Sequence, residues 1–375
     1  MAQAFQELAG GMFYKIARTR CSKLDHRLTT LVVLVLALAL VPARASAQAT
    51  TGQQNLRLQR IDAILGTGTG SLTSRKGFTA ADGTSDTPVT FSLDIVFPAA
   101  YNSNAEMLAS GGSQSLEGTP EVRFGWKKAF SPASLIFTGY VDASLDRYTN
   151  SKGDNADALV GALRLQHYTG RDDQEFQPFI QYKPSLAFAP LFASSAGTVH
   201  QLSVGFDKAF NFDVNFQRIG RPLPVSHSDS ATVWSFGLTA YAARNFAKKG
   251  ASSYSLFAAP SVTWNITNLR NRNNAVVDAQ FSASLEIDFA EKFVDRAAGF
   301  SERDFLVNPI LTLEFDPPAR WFGGENEEVA QQRYSAIGQP RLVLQAAYAR
   351  LRSNKSDARF NQWAVGPALK MGWKF

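Results

Sequence analysis

Alternation with a period of two runs through most of this chain, and no other feature constrains its fold as tightly. In AVVDAQFSASLEIDFA (275–290), Val277, Ala279, Phe281, Ala283, Leu285, Ile287 and Phe289 share one parity. Asp278, Gln280, Ser282, Ser284, Glu286 and Asp288 share the other. Successive side chains of a strand point to opposite faces, so the segment has one apolar face and one polar face. Wound as a helix, the same residues would spread around the whole circumference. PVTFSLDIVF, FQPFIQYKPSLAF and SLFAAPSVTWNIT repeat the pattern. Weaker versions lie at 121–130, 133–149, 156–169, 198–217, 231–245, 304–316 and 340–352. With WAVGPALKMGWKF at the end of the chain they make twelve segments, most of them long enough to cross a bilayer at a tilt. Polar punctuation such as YTNSKGDNAD and TNLRNRNN separates them.

A water-soluble sandwich also alternates, but its inner faces stay dry. Here the polar parity carries charges in mid-strand, at Asp94, Asp142, Arg164, Lys183, Glu286 and Lys370. The apolar parity carries Phe97, Trp126, Trp234, Trp264, Phe289, Trp363 and Trp373 toward segment ends, as an interfacial girdle requires. The expected fold is therefore all-β, a transmembrane antiparallel β-barrel of about twelve strands, with fourteen as second choice. The uncertain point is HQLSVGFDKAFNFDVNFQ, which reads as one long strand or as a hairpin turning at Asp207-Lys208. Within lipid no edge is left unpaired, so the last strand must close on the first.

The start of the chain reads as a leader. Lys15, Arg18, Arg20, Lys23 and Arg27 precede an apolar run from Leu31 to Val41, followed by Pro42 and the small-residue pattern Ala45-Ser46-Ala47. That is the order of a cleavable signal peptide, with Met12 an alternative start, and the run is short for a membrane-spanning helix. The expected organisation is a signal peptide at 1–47, a flexible periplasmic segment at 48–87 and the barrel at 88–375. The leader carries six of the 38 basic residues and two of the 32 acidic ones, which leaves 32 against 30, a net charge of +2. Such a balance gives no reason to expect a nucleic-acid partner. The one cysteine, Cys21, leaves with the leader, so no thiol or disulfide chemistry is expected of the remainder. GTGTG in the linker lacks both a preceding buried strand and a Lys-Ser/Thr ending, so it is no phosphate loop. ENEEVAQQRY, within the insertion 316–340, reads as about two helical turns.

The chain ends on Phe375, with Trp373, Met371, Leu369 and Val365 on alternate positions before it. This ending resembles the C-terminal insertion signal of bacterial outer-membrane β-barrel proteins. The resemblance implies an outer-membrane location reached through a cleavable signal peptide. It also implies recognition by the barrel-assembly machinery through Phe375, Trp373, Met371 and Leu369. Pro367 departs from the pattern and puts pairing near that position in question.

For chemistry, the inward parity is the best constellation. Its acids are Asp94, Asp142, Asp278, Glu286, Asp288 and Glu314, and its bases include Arg164, Lys183, Arg341 and Lys370, with Arg123, Lys127 and Lys374. Acids and bases on separate parts of the wall set a transverse field that selects solutes by charge. Paired into ion networks, the same residues would plug the bore. The expected function is a passive, porin-like channel for small hydrophilic solutes, with outer-membrane lipid around it and no cofactor. The alternatives are a barrel-embedded lipid hydrolase and a non-conducting structural or adhesive protein. His227, Ser228 and Asp229 are the residue types of a hydrolase triad, but consecutive residues do not converge into a relay. No spacing of His, Cys and carboxylates suits zinc, and no Asp-rich loop suits calcium.

Overall fold

The computed structural model describes residues 89–375, apart from 109–111, 131–134, 151–154, 168–175, 214, 218–232, 248–251, 271–275, 296–299 and 324–325. The side chains of 267–270, 276–278, 293–295, 300 and 357 are also outside the description. The expected leader and linker therefore lie outside the described residues, as do His227, Ser228 and Asp229.

The strands are β1 (Thr90–Asn102), β2 (Ser115–Gly118), β3 (Glu121–Phe130), β4 (Leu135–Tyr148), β5 (Ala156–His167), β6 (Gln177–Phe188) and β7 (Ser195–Phe212). They continue as β8 (Trp234–Ala247), β9 (Ser253–Arg270), β10 (Val276–Asp295), β11 (Phe300–Asp316), β12 (Arg341–Ser353) and β13 (Phe360–Lys374). β2 and β3 are two halves of one stave, since both pair with β1 on one side and β4 on the other. Every stave is antiparallel to its neighbours in chain order, and β13 pairs with β1 from Ser92↔Lys374 to Asn102↔Ala364. The result is a closed barrel of twelve staves. HQLSVGFDKAFNFDVNFQ does not turn at Asp207-Lys208, because β7 runs through both residues and pairs them with β8. Asp213 ends it, its side chain accepting from the backbone N–H of Asn215 and Gln217, both at 2.8 Å.

Pro98 in β1 sits opposite the break between β2 and β3, and four further prolines in mid-strand each open the ladder on one side only. Pro184 keeps its pairing with β7, Pro260 with β8, Pro309 with β10 and Pro367 with β12. On the other side the register is interrupted opposite each of them, at β5, β10, β12 and β1. A residue without an N–H loses its ladder bond toward one neighbour, which accounts for the pattern. At Pro367 the opened side is the closing seam.

Both barrel termini, Thr90 and Phe375, lie at one end, called here the terminal end. The opposite, far end carries mostly short connections, 103–114 being its longest. Within 98–120, β1 runs to Asn102 and β2 spans Ser115–Gly118, which leaves 103–114 as the connection between them. The long connections 213–233 and 317–340 are at the terminal end, the reverse of the usual short-turn, long-loop arrangement. The second holds the helix expected from ENEEVAQQRY, α1 (Glu327–Ala336). Asn326 caps it by accepting from the Val329 N–H at 2.9 Å, and Glu327 and Glu328 face the positive end of its dipole. It stops at Gly338, in the left-handed region with φ +80°, where a Cβ would meet the Trp373 indole at 2.6 Å. Trp373 Nε1 donates to the Ala336 carbonyl at 3.0 Å, and the Gly372 N–H to that of Gly338 at 2.7 Å. These bonds dock the helix end against β13.

The outer face is apolar from β1 to β13, with large exposed side chains such as Leu163, Val204, Leu256, Leu311 and Val365. Aromatic residues mark its two margins, Tyr254 and Trp363 toward the far end and Trp264 and Trp373 toward the terminal end. In both strands the marks are ten positions apart. At about 3.3 Å per residue and a tilt of about 40° the band between them is about 25 Å tall.

Candidate functional site: the barrel lumen

Cross-strand register settles which residues face the lumen, because paired residues share a face. Twelve strands about 4.8 Å apart, tilted by about 40°, enclose a backbone cylinder about 24 Å across. Much of its wall is short. Many inward positions along β7–β9, β12 and β13 are Ser, Thr, Ala or Gly, among them the buried Ser203, Ala243, Ala259, Ala347 and Ala364. A shelf of three rings interrupts them. Tyr241 stacks on Phe257 at 4.6 Å, and Phe179 meets Tyr241 edge-on at 6.5 Å. Gly205 lies between them on β7, where a Cβ would fall 2.5 Å from that of Tyr241, so only glycine lets the rings approach.

The charged residues form local groups. Arg123 sits between Asp142 (2.9 Å) and Glu121 (3.1 Å), with Tyr140 beneath its guanidinium at 4.1 Å. Arg164 is paired with Asp207 across two strand intervals and lies over the Phe179 ring at 3.6 Å. Asp207 also accepts from Thr239 Oγ1 at 2.7 Å and Gln166 Nε2 at 3.2 Å. Glu314 accepts from Arg341 (2.7 Å) and Lys370 (3.3 Å), and Arg341 Nε reaches Asp316 at 2.7 Å. Lys292 pairs with Glu302 at 2.8 Å and with Asp304. Glu286 accepts from Asn308 Nδ2 at 3.0 Å.

Of the lumen residues expected from the sequence, Asp142, Arg164, Glu314, Arg341 and Lys370 are thus held in ion pairs, and Glu286 in a hydrogen bond. Asp94, Lys183 and Asp288 face inward half-buried, and Gly372 leaves room for the Asp94 carboxylate, which a Cβ would approach to 2.7 Å. Asp278 stands opposite Asp316 in the register, but its side chain lies outside the described residues. Phe375, Trp373, Met371 and Leu369 lie on the outer face of the closing strand, with Phe375 exchanging backbone bonds with Phe91 at 2.9 and 3.2 Å. Phe97, Trp126, Trp264 and Phe289 fall inside strands, because β1, β3, β9 and β10 extend beyond them.

Sequence reasoning missed Asp207, Lys292, Glu302 and Asp304. Asp207 shares parity with Ser203 and was readable as inward once the turn at 207–208 was set aside. The other three lie where the readable alternation had ended, at 290 and 304, although the strands run on to Asp295 and begin at Phe300.

These groups are distributed unevenly along the axis. Among the described inward residues, Lys183 and Glu286 stand near mid-height, and the far half holds Glu117, Glu121, Asp142, Asp146, Asp288, Glu302 and Asp304 against Arg123 and Lys292. The terminal half holds Lys127, Arg164, Arg341, Lys370 and Lys374 against Asp94, Asp207, Glu314 and Asp316. The connection 103–114 narrows the acidic end. Its Met107 packs inside the barrel on Leu306, Ala349 and Phe360. Asn104 holds the turn, donating to the carbonyls of Leu108 (2.8 Å) and Asn361 (3.0 Å). At the other end Tyr334 of α1 is buried beside Asp316, Arg341 and Glu314. Burial, then the Asp316 charge, pushes its phenol up to about 12 against the opposing pull of Arg341.

No protein-family model matches the chain, and no curated protein matches it in sequence. Its similarity is to solved barrels. One is the translocator domain of the autotransporter NalP from Neisseria meningitidis, at 7% identity over 88% of this chain and 100% of that one, TM-score 0.41. Another is an outer-membrane channel from Pseudomonas putida F1, at 9% identity over 79% and 99%, TM-score 0.39. A third is the NanC porin, at 11% identity over 73% and 98%, TM-score 0.33.

Proposed function

We propose that this chain is an outer-membrane barrel that passes small hydrophilic solutes passively and favours cations at its far mouth. The observation that carries the reading is the wall. It is lined by polar and charged side chains among short Ser, Ala, Thr and Gly residues inside a backbone cylinder about 24 Å wide, and a polar lining of that kind supports a water path; Ser203, Ala259 and Ala347 are themselves buried, so the path is narrower than the cylinder. The apolar band about 25 Å tall, bounded by aromatic margins, supports a membrane setting. The excess of carboxylates at the far mouth supports the preference for cations. On the same reading the assembly machinery engages the closing strand through Leu369, Met371, Trp373 and Phe375.

The test is conductance of refolded residues 48–375 in a planar bilayer under a potassium chloride gradient. Unitary steps with a cation-selective reversal potential are expected, moving toward zero in Glu302→Gln/Asp304→Asn. Anion selectivity would overturn the assigned preference, and silence from protein proven inserted would overturn the channel. A second reading, a non-conducting structural barrel, draws on Met107 in the mouth and on the ion pairs, and that silence is its signature.

A further inference from the structure

Outward-facing charges are few on this barrel, yet several collect at one place on its far rim. Arg350 and Arg352 of β12 point outward, opposite Val307 and Phe305 of β11. Arg303 lies two residues beyond Phe305 on the same face. On the other flank Leu351 pairs with Phe360, which sets Arg359 beside Arg352. Lys355 is exposed in the turn between β12 and β13. Like charges side by side on one sheet face repel.

Among the described residues, little relieves them. The described carboxylate on this part of the outer face is Glu291, held by Arg303 at 3.3 Å, with the Arg303 side chain 64% exposed and that of Glu291 34%. Arg359 Nε donates to the Ser353 carbonyl at 2.7 Å. Arg350 and Arg352 are exposed and make no ion pair among the described residues. The rim around them is well held. Asn354 accepts from the Arg303 N–H at 2.9 Å and donates to the Ser301 carbonyl at 3.0 Å, tying β12 to β11.

The level of the cluster identifies what meets it. Immediately toward the middle of the barrel, Tyr348 packs on Trp363 with ring centroids 4.6 Å apart and planes tilted by 39°, at the far margin of the apolar band. Tyr and Trp at such a margin mark the level of lipid headgroups, and arginines one step beyond lie among the headgroups themselves. A guanidinium matches two phosphate oxygens at once, and several in one patch suit a headgroup with more than one phosphate. We infer that Arg350 and Arg352, flanked by Arg303 and Arg359, form a binding site for the phosphates of a glycolipid headgroup in the leaflet at the far end. The site lies on the opposite face of the wall from the lumen and does not depend on conduction.

Native mass spectrometry of the protein released from nanodiscs tests it. The discs are of phosphatidylcholine alone, or doped with lipid A, or with lipid A stripped of its phosphates. Wild type is expected to retain lipid A and neither of the other lipids. Arg350→Gln/Arg352→Gln should retain it about thirty-fold less, taking about five-fold for each cation at a membrane surface, and Arg350→Lys/Arg352→Lys, which keeps the charge but not the two-oxygen match, should recover only part of the loss. Gel mobility of the folded form and unchanged behaviour in the bilayer assay separate this loss from misfolding and from any failure of the channel reading. Equal retention by wild type and the glutamine variant, or retention of the dephosphorylated lipid, would overturn the site. Displacement of lipid A by millimolar inorganic phosphate would reassign it to a free anion.

Discussion

Asp207→Ala is the most informative single change in the lumen. The carboxylate accepts from Arg164, from Gln166 and from Thr239, and so joins four neighbouring strands, β5 to β8, with the help of Gln177, which accepts from Gln166 at 2.7 Å. The Asp207 and Arg164 side chains are 10% and 12% exposed, so solvent screens the pair little. Truncating the acid leaves the guanidinium desolvated over Phe179 with no countercharge beside it. Breaking a buried pair from one side costs about 3–5 kcal/mol, a factor of roughly 200 to 5,000 in the folding equilibrium. Removing both charges should cost much less, since an apolar replacement leaves no buried ion behind. The assay is reversible urea unfolding from phosphatidylcholine vesicles, followed by tryptophan fluorescence. Asp207→Ala should lose the full amount, and Asp207→Ala/Arg164→Met should regain most of it. A loss below about 1 kcal/mol, or a double variant no better than the single, would mean that water in the lumen solvates Arg164 and that the network is not structural.

Two further changes probe the terminal end. Gly338→Ala places a Cβ 2.6 Å from the Trp373 indole at a backbone φ of +80°, so it should cost more than the ~1 kcal/mol of an L-residue held in the left-handed region alone. It should also free Trp373 from the Ala336 carbonyl, giving a red-shifted emission absent from Trp373→Phe; unchanged emission would contradict the docking of α1. Tyr334 should be the late tyrosine in an alkaline titration at 295 nm, ionising near 12 while an ordinary phenol ionises near 10, and that step should vanish in Tyr334→Phe. Its folded value lies above its unfolded one, so its contribution to stability is complete below pH 10 and is lost as the pH rises toward 12. A Tyr334 that titrates with the ordinary tyrosines would place α1 away from the lumen.

Parity made most of the fold legible. Twelve alternating segments gave twelve staves because apolar-out, polar-in alternation is enforced separately in each strand and needs no knowledge of its partners. The helix in ENEEVAQQRY was legible for a similar reason, since its cap and first-turn acids are local. The charge pairs were not. Arg164 meets Asp207 43 residues away, across β6, and Glu314 meets Lys370 56 residues away, across β12. Such meetings depend on how far each strand is staggered against the next, which alternation does not record. A transverse field between acidic and basic walls was expected, whereas the stagger brings opposite charges together locally and leaves the residual imbalance along the axis. Met107 escaped notice because a single apolar residue in a polar connection has no period.

The far rim carries opposite charge on its two faces, and three consecutive residues contain the reason. In β11, Glu302 and Asp304 face the lumen and Lys292, while Arg303 between them faces outward. In β12, Arg350 and Arg352 face outward around the inward Leu351. A strand has no third direction, so one tripeptide supplies both a cation-attracting mouth and part of an anion-attracting outer surface. It also fixes the register. A slip of one residue in β11 would turn Phe305, Val307, Leu311, Leu313 and Phe315 into the lumen and carry Glu302, Asp304, Thr312 and Glu314 onto the apolar face. Most of that cost falls on the apolar residues and on Glu314, deep in the band, because charges near a margin are tolerated on a lipid face. The rim charges are therefore free to differ between faces, and what holds them in place is the apolar alternation further along the same strand.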